Sequence, residues 1–270
     1  RQMCIRDRII TFGELMLRLS PDNNERFTQA HSYEAVYGGG EANTAVSLAN
    51  FNVDTRYVTK LPKHTIGQSA VNSLRQYGVD VSRIVRGGDQ IGIYFLEKKT
   101  SQRPTNVIYN RNGSAFALAT KEDFDWNSIF DGATWFHFSG ITPAISDNMA
   151  EITIEACKEA KKRGITVSCD LNYRSKLWSS EKANKVMSEV CRYVDICIAN
   201  EDDAVGIFGM DASKSDKEKN AYIAEELTKM FPNFKMVASV WRTETSITTF
   251  KLQSMIYTEG MAYYSQEFFM

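Results

Sequence analysis

Apolar and polar positions along this chain repeat in short blocks of two different periods. Ile9 to Phe12 is an apolar run that stops at Gly13, and Leu15, Leu17 and Leu19 then alternate with Met16 and Arg18 up to Pro21. Both read as strands, the second half-exposed. Ala42, Ala45, Val46 and Ala49 recur instead at helical spacing. Thr55 to Leu61 predicts a strand, and Thr65 to Tyr77 a helix with Gly78 as its stop. Ile91 to Glu97 and Asn106 to Tyr109 predict two more strands, joined by a polar turn containing Pro104. The intervening Gly87-Gly88-Asp89 reads as a hairpin turn.

From Trp135 onward the two periods alternate regularly. Strands are predicted at Trp135–Ser139, Thr166–Asp170, Ile196–Ala199 and Phe234–Ser239. Helices are predicted from about Asp147 to Arg163, with Ile152, Ala156 and Ala160 inward, from Glu181 to Tyr193, and from about Asp216 to Met230. Repeated strand–helix units imply a parallel sheet covered by helices. The early strand pairs lack intervening helices, which points to a separate small sheet. No internal repeat or long linker appears, so a single α/β domain from residue 9 to 270 is expected. Residues 1–8 show no periodicity and are set aside as a leader foreign to the fold.

Composition narrows the class. At 270 residues the chain can bury a sizeable core, and 43% hydrophobic with 24% charged residues is ordinary for a globular protein. Its 32 basic and 33 acidic side chains nearly cancel, with no basic stripe, which excludes nucleic acid as the expected partner. Cys4, Cys157, Cys169, Cys191 and Cys197 are an odd set without a CxxC pair, so free thiols and a cytoplasmic setting are expected. The sequon Asn112-Gly113-Ser114 then has no meaning. No apolar run reaches membrane-spanning length, and no membrane partner is expected.

Candidate chemistry lies in the segments just after the strands, because parallel sheets bind ligands beyond their carboxyl ends. Gly38-Gly39-Gly40-Glu41-Ala42-Asn43 leads into a helix of small residues, which offers close backbone approach and a helix start to an electron-rich ligand. Asp170-Leu171-Asn172-Tyr173-Arg174 and Asn200-Glu201-Asp202-Asp203 each come directly after a strand, as does Gly140. Any one of these clusters taken alone reads better as a turn plus helix cap; three of them after strands of one sheet are harder to dismiss. His137, inside Trp135-Phe136-His137-Phe138, is read as a satisfied core or edge imidazole. His31 and His64 lack metal-ligand spacing.

These segments together carry a resemblance. The run Gly38 to Asn52, the segment Asp170-Leu171-Asn172-Tyr173-Arg174-Ser175-Lys176-Leu177-Trp178 and Asn200-Glu201-Asp202-Asp203 resemble three motifs of the ribokinase-like (PfkB) carbohydrate kinases. Gly92-Ile93-Tyr94, Val107 to Ala115 and Phe12-Gly13-Glu14-Leu15-Met16 are most similar to the 2-keto-3-deoxygluconate kinases of that family. The resemblance implies a three-layer α/β/α fold with a mostly parallel sheet and a small β-sheet lid, drawn from about residues 14–37 and 90–112. It implies ATP-dependent phosphorylation of a sugar or sugar acid with Mg²⁺. Gly38, Gly39, Asn43, Tyr94, Tyr109, Arg111 and Arg174 would then bind the sugar, with Arg111 facing its carboxylate. Asn172, Asn200, Glu201 and Arg242 would face the nucleotide, and Glu201 would organise Mg²⁺ through water. Asp203 stands where the family motif has Glu, which shortens its reach. A homo-oligomer formed through the lid is also implied.

The family's Gly-x-Gly-Asp motif, with its general base, is not found in the 270 residues. The resemblance places it beyond Met270, so no catalytic residue is assigned. Negligible turnover and a partly uncovered apolar sheet are expected of the chain as written. A fructokinase or ribokinase, which has no need of Tyr94, Tyr109 and Arg111 together, is the first alternative. A non-catalytic sugar-binding protein is the second.

Overall fold

Alternating strand and helix signals resolve into β1 (Arg8–Phe12), β2 (Met16–Pro21), β3 (Tyr33–Gly38), α1 (Gly40–Asn50), β4 (Asp54–Val58), β5 (Lys60–Leu61), α2 (Thr65–Arg75), β6 (Val85–Arg86), β7 (Gly92–Glu97), β8 (Asn106–Asn110), α3 (Trp126–Ile129) and β9 (Ala133–Ser139). The chain continues through α4 (Ile141–Ala144), α5 (Asp147–Lys162), β10 (Thr166–Asp170), α6 (Ser180–Cys191), β11 (Ile196–Ile198), α7 (Glu201–Phe208), α8 (Asp216–Met230), β12 (Met236–Glu244), β13 (Phe250–Thr258), β14 (Met261–Tyr264) and β15 (Phe268–Phe269). The computed structural model describes residues 7–100, 102–211, 213, 216–244 and 249–270. Cys4 and most of the expected leader lie outside these. Residues up to 137 with 145–152 form one unit, and residues 138–144 with 153–270 form the other.

In the first unit β1 pairs in parallel with both β4 and β9. Phe12, at the end of β1, is wholly buried and meets Phe116, Phe124 and Trp126 edge-on at 5.2–5.4 Å between ring centres. Each such pair adds about 0.5–1.5 kcal/mol to the burial of its rings. A second cluster packs Ala42 and Ala45 of α1 and Ala70, Val71 and Leu74 of α2 against Leu15, Tyr57 and Leu61. Small residues on α1 let its backbone come close to the sheet.

The small sheet is four-stranded, in the order β3-β2-β7-β8. β2 to β3 and β7 to β8 are antiparallel, and β2 to β7 is parallel. Its register places Val36, Arg18, Tyr94 and Tyr109 on one rung and Ala35, Leu19, Phe95 and Ile108 on the next. Successive rungs face opposite sides, so one face is polar and aromatic and the other apolar. Leu17, Tyr37 and Ile93 lean from the small sheet onto the second cluster.

Two expectations need correction here, and one strand was not legible in the pattern. Thr55–Leu61 is not one strand: it breaks at Thr59, and β5 pairs with β6 in a separate two-stranded sheet. Gly87-Gly88-Asp89 is therefore no hairpin, since β6 and β7 belong to different sheets. Gly88, at φ +76°, makes the turn between them. β3 is a strand without a sequence signal, because Tyr33 to Ala35 are exposed and leave no apolar alternation to read.

In the second unit β10, β11 and β12 are parallel neighbours. Their cores are small: Cys169 and Cys197 face one another in register, both fully buried. Ala156 and Ala160 of α5, with Met187 and Val190 of α6, are buried along their inner faces, in agreement with the predicted stripe of α5. The expected strand–helix alternation ends at β12. This strand runs on to Glu244 and pairs antiparallel with β13, which pairs antiparallel with β14 and β15. Polar residues at Gln253 and Ser254, and the mixed burial along β13, hid that hairpin from the sequence.

Candidate functional site

Gly38 ends β3 and Gly39 caps α1, whose first turn carries Asn43. The two glycines answer different demands. A Cβ on Gly39 would overlap the carbonyl oxygen of Glu14, so packing alone excludes a side chain there. A Cβ on Gly38 would meet only Asn43 Oδ1 at 3.8 Å and Tyr94 Oη at 3.9 Å. That is ordinary contact. The bare face of Gly38 is thus a point on which a side-chain amide and a phenol converge.

Gly38 and exposed Asn43 line a cleft of about 580 Å³, with Tyr37, Ala42, Val46 and Tyr77. Tyr94 and Tyr109 stack across the β7–β8 pair at 5.8 Å and 27°. Arg111, the residue after β8, has its Cζ 5.9 Å from the Tyr109 ring. The structure therefore gathers six expected sugar residues in the first unit: Gly38, Gly39 and Asn43 at the β3–α1 junction, and Tyr94, Tyr109 and Arg111 on the small sheet. Tyr94 links the two groups.

Arg111 is not an open cation. It is 7% exposed, and its Nη2 lies 2.5 Å from Oε2 of Glu14, itself almost wholly buried. Burial pushes the Glu14 carboxyl up from the usual carboxylate range, Arg111 and Ser114 pull it down, and Glu41 adds to the rise. Tyr57 donates to the carbonyl of Gly13 at 2.8 Å, and burial, with Glu41 and Glu14 nearby, raises its phenol well above the ordinary value. His137 is also buried, which lowers its imidazole despite the opposing pull of Glu41. Sequence reading gave Glu14 and Ser114 no role, although both lie in segments that carry the resemblance, because nothing in their spacing links them to Arg111. It also missed Arg18, on the rung beside Tyr94, whose Nη2 stands 3.9 Å from Glu34 and whose buried Nε has no hydrogen-bond partner.

In the second unit the loops after the strands are tied together. Gly140 donates to Asp170 O at 2.7 Å, Leu171 to Ile198 O at 2.9 Å and Ala199 to Ala238 O at 2.9 Å. A Cβ on Gly140 would overlap the Leu171 carbonyl, so glycine is required at this crossing. Asn200 caps α7: its Oδ1 accepts from Asp203 N at 2.9 Å, and Asp203 Oδ2 accepts from Asn200 N at 3.0 Å. The other Asp203 oxygen accepts from Tyr173 N at 2.7 Å. Asp203 is thus a buried staple between two loops, and the cap reading of this cluster holds for its side chain.

Glu201 and Arg242 share an open pocket of about 410 Å³ with Asn200, Lys219, Trp241 and Thr243. Lys219 Nζ lies 3.0 Å from Glu201 Oε2, and the Arg242 guanidinium lies over the Phe250 ring at 3.4 Å. Lys219 is an addition to the expected set, brought in by α8. Asn172, in a left-handed turn at φ +40°, points its amide to Asp170 at 3.4 Å. Arg174 is exposed and donates to the Tyr173 carbonyl at 3.3 Å. Neither Asn172 nor Arg174 lines the pocket. Among the described residues no cluster of His, Cys, Asp and Glu suits direct metal coordination. No helix among them is long and apolar enough to cross a membrane.

Comparison with known proteins places these features in a family. A 2-dehydro-3-deoxygalactonokinase of Haloferax volcanii is 37% identical over 205 residues, 75% of this chain and 64% of its own length. A 2-dehydro-3-deoxygluconokinase of Bacillus subtilis is 28% identical over 64% of this chain and 53% of its own. The chain therefore spans less than two thirds of these curated relatives. The solved structure of 2-dehydro-3-deoxygluconokinase from Thermotoga maritima superposes with a TM-score of 0.94 at 45% identity, over 98% of this chain and 80% of that one. A PfkB family carbohydrate kinase from Listeria grayi gives 0.90 at 33% identity, over 98% and 81%. The fold is ribokinase-like α/β, with a mostly parallel sheet and a separate small one. Residues 6–233 match the pfkB family carbohydrate kinase profile. The chain belongs to the pfkB family of carbohydrate kinases.

Proposed function

We propose that this chain carries the sugar-acid site and part of the nucleotide site of a kinase that phosphorylates 2-keto-3-deoxygluconate (2-dehydro-3-deoxygluconate) at its 6-hydroxyl. The observation that carries the reading is the convergence of Asn43 and Tyr94 on bare Gly38, on the sheet face that also holds Tyr109 and Arg111. A sugar acid presents hydroxyls to amide, phenol and backbone groups, and a carboxylate to a guanidinium. In this reading Gly38 and Gly39 offer backbone, Asn43 and Tyr94 bind hydroxyls, Tyr109 covers the ring, Arg111 holds the carboxylate, and Arg174 reaches substrate or phosphate.

ATP with Mg²⁺ would supply the transferable phosphoryl group. The donor set fits a hydrated ion, because Mg²⁺ keeps several waters and takes one or two carboxylates beside phosphate. Glu201 is the carboxylate here, beside Lys219 and Arg242 as cations for the phosphates. Asn200 borders this side.

The named relatives act on the gluconate and galactonate epimers, so calorimetry with both, and with fructose, is the test. Micromolar binding of either acid, with fructose at least about tenfold weaker, is the expected result. Preference for fructose would move the chain to the alternative reading. Acid binding without ADP formation from ATP and Mg²⁺ would mark this chain as a binding module.

The small sheet is assigned as the lid over the sugar. Its outer apolar rung, with Ile108 half exposed, supports a contact between copies. Ile108→Lys is expected to lower the mass measured by sedimentation, and an unchanged mass contradicts the contact.

A further inference from the structure

We propose that Glu14 is a positioning residue of the sugar-acid site: through a buried ion pair locked by Ser114, it holds Arg111 where that guanidinium reads a substrate carboxylate. The inference rests on the sugar-acid function proposed for this chain.

Glu14 lies between β1 and β2, and Arg111 comes directly after β8. The two side chains nevertheless meet at 2.5 Å, with 3% and 7% of each exposed. Ser114 donates to the other Glu14 oxygen, Oε1, at 2.5 Å. The same hydroxyl oxygen accepts from Ala117 N at 3.1 Å, so Ser114 is itself fixed from the backbone. Oε1 is thus hydrogen-bonded to Ser114, and Oε2 is ion-paired with Arg111 Nη2 without a well-aligned hydrogen bond. Space for it is made by the absence of side chains: a Cβ on Gly92 would stand 2.6 Å from Glu14 Oε1.

Most buried polar groups are hydrogen-bonded. Arg111 Nε is not: it is buried with no hydrogen-bond partner, as are the Nε atoms of Arg18, Arg86 and Arg103. A stranded donor costs about 1–3 kcal/mol. That of Arg111 lies in the side chain beside Tyr109, which stacks on the Tyr94 that reaches Gly38. Glu14 satisfies Arg111's charge while the site is empty and fixes which part of the guanidinium is left over. A planar, delocalised cation held this way presents donors in a set direction, which a lysine cannot do. Glu14 itself touches no substrate, and it acts through Arg111.

The test uses two ligands that differ only at the recognised group: 2-keto-3-deoxygluconate, and 3-deoxyfructose, which has a hydroxymethyl in place of the carboxylate. Titration calorimetry gives the affinity ratio of acid to neutral sugar, a readout that general loss of stability does not move. Wild-type protein is expected to prefer the acid. Glu14→Gln, nearly isosteric, is expected to weaken acid binding about tenfold or more with little change for the neutral sugar. A folded Glu14→Gln that keeps the wild-type ratio overturns the proposal. If Glu14→Gln does not fold, Ser114→Ala replaces it. It keeps the charge pair but frees the carboxylate, so a smaller fall in the same ratio is expected and an unchanged ratio overturns the proposal. Wild-type protein that binds neither acid epimer refutes the sugar-acid reading, and the role of Glu14 falls with it.

Discussion

A methyl group added at Gly39 would overlap a backbone carbonyl, whereas one added at Gly38 would fill the space between Asn43 and Tyr94. Overpacking of a well-packed site costs roughly 1–3 kcal/mol, so Gly39→Ala is expected to lower the melting temperature by several degrees. Gly38→Ala should melt close to wild type and lose affinity for the sugar acid, which paired melting and calorimetry experiments check. The glycine run was legible as a special place in the sequence, but these two roles were not. They depend on Glu14 and Tyr94, which the fold brings in from other strands. Arg111 was singled out through the resemblance as a cation for a sugar acid, and its ion pair with Glu14 was hidden for the same reason. Short polar motifs after strands, by contrast, carry their own local geometry. That is why Asn200 could be read from sequence as a cap or as a ligand residue.

The cap on α7 joins more than one helix turn. Asp203 closes the box with Asn200 and also holds Tyr173 N, so Asp203→Ala removes partners from two backbone N–H groups at once. Losing a cap alone costs about 0.5–2 kcal/mol. We expect a loss at the upper end, read from urea midpoints, with nucleotide affinity falling as the loops loosen. A second anchor lies at the start of β11. Buried Asp195 receives Lys161 Nζ at 2.8 Å, Val167 N at 2.9 Å and Lys235 Nζ at 3.1 Å. Burial alone would raise its carboxyl, but Lys161, the Val167 N–H and Lys235 outweigh it and hold it below the usual carboxylate range. A depressed folded value means that this stability is complete above the unfolded value and is lost as pH falls through the folded one. Acid titration of the melting temperature should therefore show a drop below about pH 4 that Asp195→Asn flattens, at the cost of lower stability at neutral pH. Helices and strands with one strong period, such as α5 and β10, were legible nearly to their ends. The β12–β13 hairpin was not, because its pairing is long-range and its polar positions break the alternation.

Four thiols lie in the second unit, and all are buried: Cys157, Cys169, Cys191 and Cys197. Burial raises each thiol above its ordinary range, with neighbouring thiols adding to the effect for Cys157, Cys169 and Cys197. Thiolate is the reactive form. At pH 8 these four should resist a disulfide reagent such as 5,5′-dithiobis(2-nitrobenzoate), then react together once denaturant unfolds the second unit. Rapid reaction of any of them in the native protein would contradict this core. The absence of pairing motifs made free thiols legible from sequence, and their depth came only with the sheet. The course of the chain between its units has a further consequence. It crosses from one to the other after residue 137, returns after 144, and leaves again after 152. No single cut in the gene therefore separates the two units. A fragment ending near 152 carries off residues 138–144 of the other unit, including the glycine that must pass beside Leu171. Recombination that swaps one substrate module for another would have to exchange two discontinuous pieces at once, so new specificities in such a chain are more readily reached by point substitution.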